Sequence, residues 1–111
     1  MSERDGHGVR RLRVEELARW RREGRRHWLV DVRPRSERAL ASIEGAVGLD
    51  ELPGGLDALD RDATLVFLCH HGIRSMLAAR RAIDAGFTDV HNLEGGIDAW
   101  ARDVDPDIPR Y

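Results

Sequence analysis

A chain of 111 residues, 41% apolar and 34% charged, has the size and balance of one globular domain around a single core. Residues 1–8 hold no apolar signal-peptide core, and no later stretch approaches the roughly 18 uninterrupted apolar residues of a membrane span. These features argue against a membrane protein and lead us to expect a cytoplasmic one. Net charge is −2, with 12 Arg against 7 acids over residues 1–40 and 6 Arg against 13 acids over residues 41–111. The arginines are spread over a helix and two flanks without interleaved aromatics, which predicts a solvated face and no nucleic-acid partner.

In chain order, residues 1–8 read as a flexible N-terminus and residues 9–103 as the domain. Val14 to Glu23 reads as a helix, with Val14, Leu17 and Trp20 at helical spacing and Gly24 as its C-terminal cap. Trp28 to Val32 is a short buried strand, and Trp20 and Trp28 are expected to be partly exposed. Pro34 to Leu40 can start a helix because proline is tolerated in a first turn, and Ala46 to Leu49 reads as a short strand. Leu56 to Leu59 suits a brief helix. Thr64 to Leu68 is the most apolar β-like run, Ser75 to Ala85 the best helix, and Gly86 its stop signal. Val90 to Leu93 is a last strand, Ile97 to Ala101 a last helix, and residues 104–111, with Pro106 and Pro109, an irregular tail. Strands alternating with helices predict an α/β fold with a mainly parallel sheet covered on both faces.

The chemistry points to Cys69, the single cysteine, in a loop between the apolar strand and the best helix. A lone cysteine leaves a free thiol, in keeping with a reducing compartment. A structural cysteine belongs inside a strand or helix, whereas Cys69 follows the strand and is succeeded by His70, His71 and Gly72, which bury little. Such a loop opens at the carboxyl end of a strand, where α/β proteins bind ligands, and the next helix points free N–H groups at it. Those donors, the helix dipole and Arg74 favour the thiolate, the nucleophilic form.

Two displacements suit a thiolate in an anion cradle, one on phosphorus and one on sulfur. Cysteine phosphatases wrap a tetrahedral phosphate in a Cys-x5-Arg loop. Here four residues separate Cys69 from Arg74, and the tighter ring better suits one added sulfur atom.

The chain resembles the rhodanese-like, single-domain sulfurtransferase family over Val14 to Trp100. Leu29-Val30-Asp31-Val32-Arg33 looks like its opening strand motif, and Ile43 with Gly45-Ala46 fits its second. Cys69-x-x-Gly72-x-Arg74-Ser75 matches its active-site loop, and Gly86-Phe87 with Leu93-Glu94-Gly95-Gly96-Ile97-x-x-Trp100 its C-terminal signature. Departures fall outside the cysteine loop: Ala41, Ser42 and Glu44 in the second motif, and Arg38 where an aromatic is usual. The resemblance implies a catalytic Cys69 that cycles through a persulfide, with His70, His71, Gly72, Ile73, Arg74 and Ser75 as the sulfur- and substrate-cradling segment. It implies no cofactor beyond that covalent intermediate, a small sulfur donor such as thiosulfate, and an acceptor that is cyanide, a small thiol or a sulfur-acceptor protein. A second cysteine being absent from the sequence, the acceptor thiol is not its own.

Other residues invite plainer readings. Arg74 either contacts an anionic donor or points to a surface carboxylate. His70 and His71 are adjacent, and adjacent side chains in a short loop rarely converge on a metal, so no metal is expected. Asp31 with Arg33 reads as a structural ion pair, and Gly95-Gly96 as a turn feeding the last helix. No heptad or apolar stripe asks for a dimer, so a monomer is expected. The reading from another class is a rhodanese-like binding, regulatory or redox-sensing module without sulfur turnover, which predicts a sulfenic acid on Cys69 with peroxide.

Overall fold

The computed structural model describes residues 4–111. In chain order it contains β1 (Arg10–Leu12), α1 (Val14–Glu23), β2 (Trp28–Asp31), the single turn α2 (Arg35–Arg38), β3 (Val47–Gly48), β4 (Thr64–Leu68), α3 (Ile73–Asp84), β5 (Asp89–Leu93) and α4 (Gly96–Asp103). Two 3-10 turns, Leu49–Glu51 and Leu56–Ala58, join β3 to β4. The five strands are all parallel, in the order β1-β5-β4-β2-β3.

Alternation along the central strands explains their unbroken apolar sequence. Val66 and Leu68 of β4 face α1 and α4 with Leu29 and Leu93, against Val14, Leu17, Trp20, Ile97 and Trp100. Leu65 and Phe67 face the other way, toward Ala79 and Ala82 of α3, with Val30 and Val90. Both sheet faces are therefore dry, which a parallel sheet requires. Each such large apolar side chain contributes roughly 1.5 to 3 kcal/mol by leaving water.

Several elements differ from expectation for local reasons. The strand β1 has no apolar alternation; it exists because Arg10, Arg11 and Leu12 pair with His91, Asn92 and Leu93 of β5, with Leu12 fully buried. The predicted Pro34–Leu40 helix shrinks to one turn, Arg35–Arg38, with no buried residue to lengthen it. The 46–49 strand narrows to Val47–Gly48, and α3 begins at Ile73, two residues earlier than expected. Trp20 is buried, not partly exposed: it packs edge-on against His91, and the Arg25 guanidinium covers its ring at 3.7 Å. The flexible stretch expected over 1–8 lies partly outside the described residues; within 4–8, the Asp5 carboxylate accepts hydrogen bonds from the His7 and Val9 amides.

The topology places a crevice. From β2 the chain crosses to β3 on one side, and from β4 to β5 on the other, so the connections part above the carboxyl ends of β2 and β4. Open α/β sheets bind ligands at such switch points.

Candidate active site

Cys69 directly follows β4 and lies at this crevice. The loop turns tightly enough to fold back on the sulfur because Gly72 takes φ +98°, a conformation that side chains resist. The Gly72 amide donates to Cys69 Sγ at 3.2 Å, and the Ser75 amide and hydroxyl lie at 3.4 Å. The 12-residue α3 begins at this point, so its positive end faces the sulfur. Cys69 is only 1% exposed. Burial pushes the thiol up, but donation from the Ser75 hydroxyl, and from the amides of Ser75, Gly72 and His71, outweighs it and holds the group below an ordinary thiol.

The loop is held from behind by α4 and β5. The amides of Ile97 and Asp98, at the open end of α4, donate to the carbonyls of Cys69 (2.9 Å) and His70 (3.1 Å). This approach needs Gly96, since a Cβ there would run into those same carbonyls. On β5, Asn92 Nδ2 donates to the Gly72 carbonyl at 2.9 Å, and Asn92 Oδ1 accepts from the Ser75 hydroxyl at 2.6 Å. Gly95-Gly96 thus does more than turn the chain: it docks a helix terminus onto the cysteine loop.

Across the crevice, β2 ends in a buried ion pair. Arg33, 1% exposed, donates through Nε and Nη2 to Asp31, and Nη2 also reaches the Ala41 carbonyl at 2.8 Å. A buried guanidinium is tolerated only with its donors paired, as they are here. Its Nη1 donates to the Tyr111 hydroxyl at 2.7 Å, which in turn donates to Glu37 at 3.0 Å. Of the two possibilities for Arg74, the structure adopts the carboxylate: both terminal nitrogens donate to Glu37, at 2.7 and 2.9 Å. Arg74 holds the Glu37 carboxyl down to about 2. Positive charge at the loop is therefore largely cancelled, and the sulfur depends on amides and the α3 terminus.

The remaining loop side chains divide. Ile73 points to solvent at 80% exposure. His70 stacks on both His71 (centroids 4.0 Å apart) and Tyr111 (4.1 Å). His70, His71 and Asp98 bring ligand-type atoms within 4.8 Å of one another, a convergence across α4 that adjacency in sequence does not reveal. The two imidazoles lie 30° from parallel, and the Asp98 carboxylate accepts from Arg110 while its Oδ2 lies 3.7 Å from His71 Nε2.

Glu37, Asn92 and Tyr111 are site residues that sequence reasoning did not single out, and Gly96 enters it only as part of a turn. A signal existed for Asn92, a polar residue inside a buried strand, which must find a buried partner. For Glu37 and Tyr111 none existed, because their roles depend on contacts across 37 and 74 to 78 residues.

The family profile described as "Rhodanese-like domain" matches residues 13–103. Among curated proteins, the chain is 39% identical over 100 residues to a Mycobacterium tuberculosis protein named "Probable adenylyltransferase/sulfurtransferase MoeZ", covering 86% of this chain and 26% of that one. It thus spans about a quarter of the first curated relatives it matches. It is 37% identical over 98 residues to "Thiosulfate sulfurtransferase GlpE" of Pseudomonas paraeruginosa, covering 86% of each. Among solved structures, a rhodanese-like domain protein from Staphylococcus aureus superposes with a TM-score of 0.73 at 26% identity, covering 91% of this chain and 97% of that one.

Proposed function

The chain belongs to the rhodanese-like domain family, and from that premise we propose that it is a sulfurtransferase working through a persulfide on Cys69. The observation that carries this reading is the sulfur itself, ringed by amide and hydroxyl donors at a sheet switch point with its thiol lowered. The Cys69 thiolate attacks the outer sulfur of a donor such as thiosulfate; a new S–S bond forms, and the bond to the inner sulfur breaks with its electron pair leaving on sulfite. Loop amides hold the negative charge on the terminal sulfur. A nucleophilic acceptor then takes that sulfur, and the S–S electron pair returns to Cys69. A thiolate leaving group needs no general acid.

Cys69 being the sole cysteine of the sequence, the acceptor is cyanide, a small thiol or a protein thiol. A protein acceptor is supported by relatives whose names join adenylyltransferase to sulfurtransferase. No helix among the described residues is long and apolar enough to cross a membrane. The free Cys69 thiol suits a reducing compartment such as the cytoplasm.

The test is thiosulfate:cyanide turnover of the wild type beside Cys69→Ser, with intact-mass detection of an adduct of about +32 Da. Turnover and adduct are both expected, and both should vanish in the variant. No adduct with thiosulfate or with persulfide donors would overturn the reading; peroxide-dependent sulfenic acid in its place would favour a redox-sensing module.

A further inference from the structure

The Ser75 hydroxyl has one proton and two acceptors. Asn92 Oδ1 lies 2.6 Å from Ser75 Oγ and Cys69 Sγ lies 3.4 Å from it. One O–H cannot serve both at once. While Cys69 is a neutral thiol, its sulfur is a weak acceptor and the proton belongs to Asn92; the thiol S–H can then point at the Ser75 oxygen. When the sulfur carries charge, charge-assisted hydrogen bonding favours rotation of the hydroxyl toward it. The site is suited to such a choice, since Ser75 is fully buried and Asn92 is 5% exposed, so water does not replace the partner given up. Asn92 itself is fixed, because its Nδ2 is tied to the Gly72 carbonyl at 2.9 Å.

We propose that Asn92 is a positioning residue for the sulfur chemistry, holding the Ser75 hydroxyl in reserve so that the third side of the cradle closes on Cys69 only when its sulfur is charged. The hydroxyl turns to Cys69 in the thiolate, and goes back to Asn92 once the charge has moved out to the terminal sulfur of a persulfide. No bond breaks; only the direction of one O–H changes. The cost of taking the proton from Asn92 sets how readily the thiol ionises. The inference rests on Cys69 as the nucleophile.

The charged and titratable groups around the sulfur are Arg74, His70 and His71 in the loop, Glu37 in the single turn α2, Arg33 after β2, Asp98 on α4 and Tyr111 in the tail. None is altered by exchanges at positions 75 and 92, so they act equally in all variants below.

The experiment is the pH dependence of Cys69 alkylation by iodoacetamide, which follows the thiolate, in wild type, Asn92→Leu, Ser75→Ala and the double variant, each checked for fold by circular dichroism. Without its amide acceptor the hydroxyl has only the sulfur left. Asn92→Leu is therefore expected to move the thiolate midpoint down by about 0.5 unit, about threefold more thiolate below the midpoint. Ser75→Ala should move it up, and adding Asn92→Leu to Ser75→Ala should not move it down, since the loss of the Nδ2–Gly72 bond that remains can only loosen the loop. Should Asn92→Leu fail to fold, Asn92→Asp keeps the acceptor and reverses the sign: the midpoint rises, and by more with Ser75 present than with Ala. Equal shifts in both backgrounds, or no shift from wild type, would overturn the proposal. The readout is the thiol, so a protein that shows the coupling but transfers no sulfur would refute the proposed function and leave this inference standing.

Discussion

Glu37 shows how one side chain can set both charge and acid stability at the site. Its carboxyl is drawn from 4.5 to about 2 chiefly by the Arg74 guanidinium, then by the Tyr111 hydroxyl, against the opposing effect of burial. A folded-state pKa below the unfolded one stabilises the fold above about pH 4.5, and that stabilisation drains away as pH falls toward about 2. Glu37→Gln should therefore narrow the loss of stability over this window relative to wild type, as read from urea melts at successive pH values. An identical acid limb in both proteins would show that the Glu37–Arg74 pair carries no pH-dependent stability. None of this was legible beforehand. Arg74 was visible as a loop cation, but whether it faced a donor or a carboxylate turned on where α2 came to rest 37 residues earlier.

Among the elements, α4 carries a role that its sequence only half declares. The pair Gly95-Gly96 before an apolar helix reads as a turn, and so it is, with Gly95 at φ +78° and Gly96 at φ +60°. Only the packing reveals that the glycine also lets the helix amides reach the carbonyls of Cys69 and His70. Gly96→Ala should cost about 2 to 4 kcal/mol through positive φ and steric overlap with the loop backbone. It should also raise the Cys69 thiol as the loop is pushed off its donors. Thermal melts and the pH profile of alkylation check the two effects; a variant with lost stability and an unmoved thiol would show that α4 supports the fold and not the cradle. The short β1 and the truncated α2 were hidden for a related reason. Three residues paired along an edge, or one exposed helical turn, leave no periodicity long enough to read.

Over the whole molecule, the tail leaves α4 without further helix or strand and returns to the crevice. Arg110 pairs with Asp98 at 2.9 Å, and Tyr111 stacks on His70 while bridging Arg33 and Glu37. The segment thus joins α4, the cysteine loop and the end of β2. Tyr111→Ala should leave the far-UV spectrum unchanged and lower stability by about 1 kcal/mol, the scale of one aromatic pair. With the stack gone, His70 is freer and iodoacetamide should reach Cys69 a few times faster; an unchanged rate would mean that the tail does not restrict the loop. By itself the sequence determined the α/β alternation, the central strand run and the cysteine loop, because those depend on periodicity and on a thiol placed between a strand and a helix. The tertiary structure alone decided the charge at the mouth, the support from Asn92 and Gly96, and the return of Tyr111. Those are contacts between residues far apart in the chain, and their energy depends on distances that only the packed sheet and helices set.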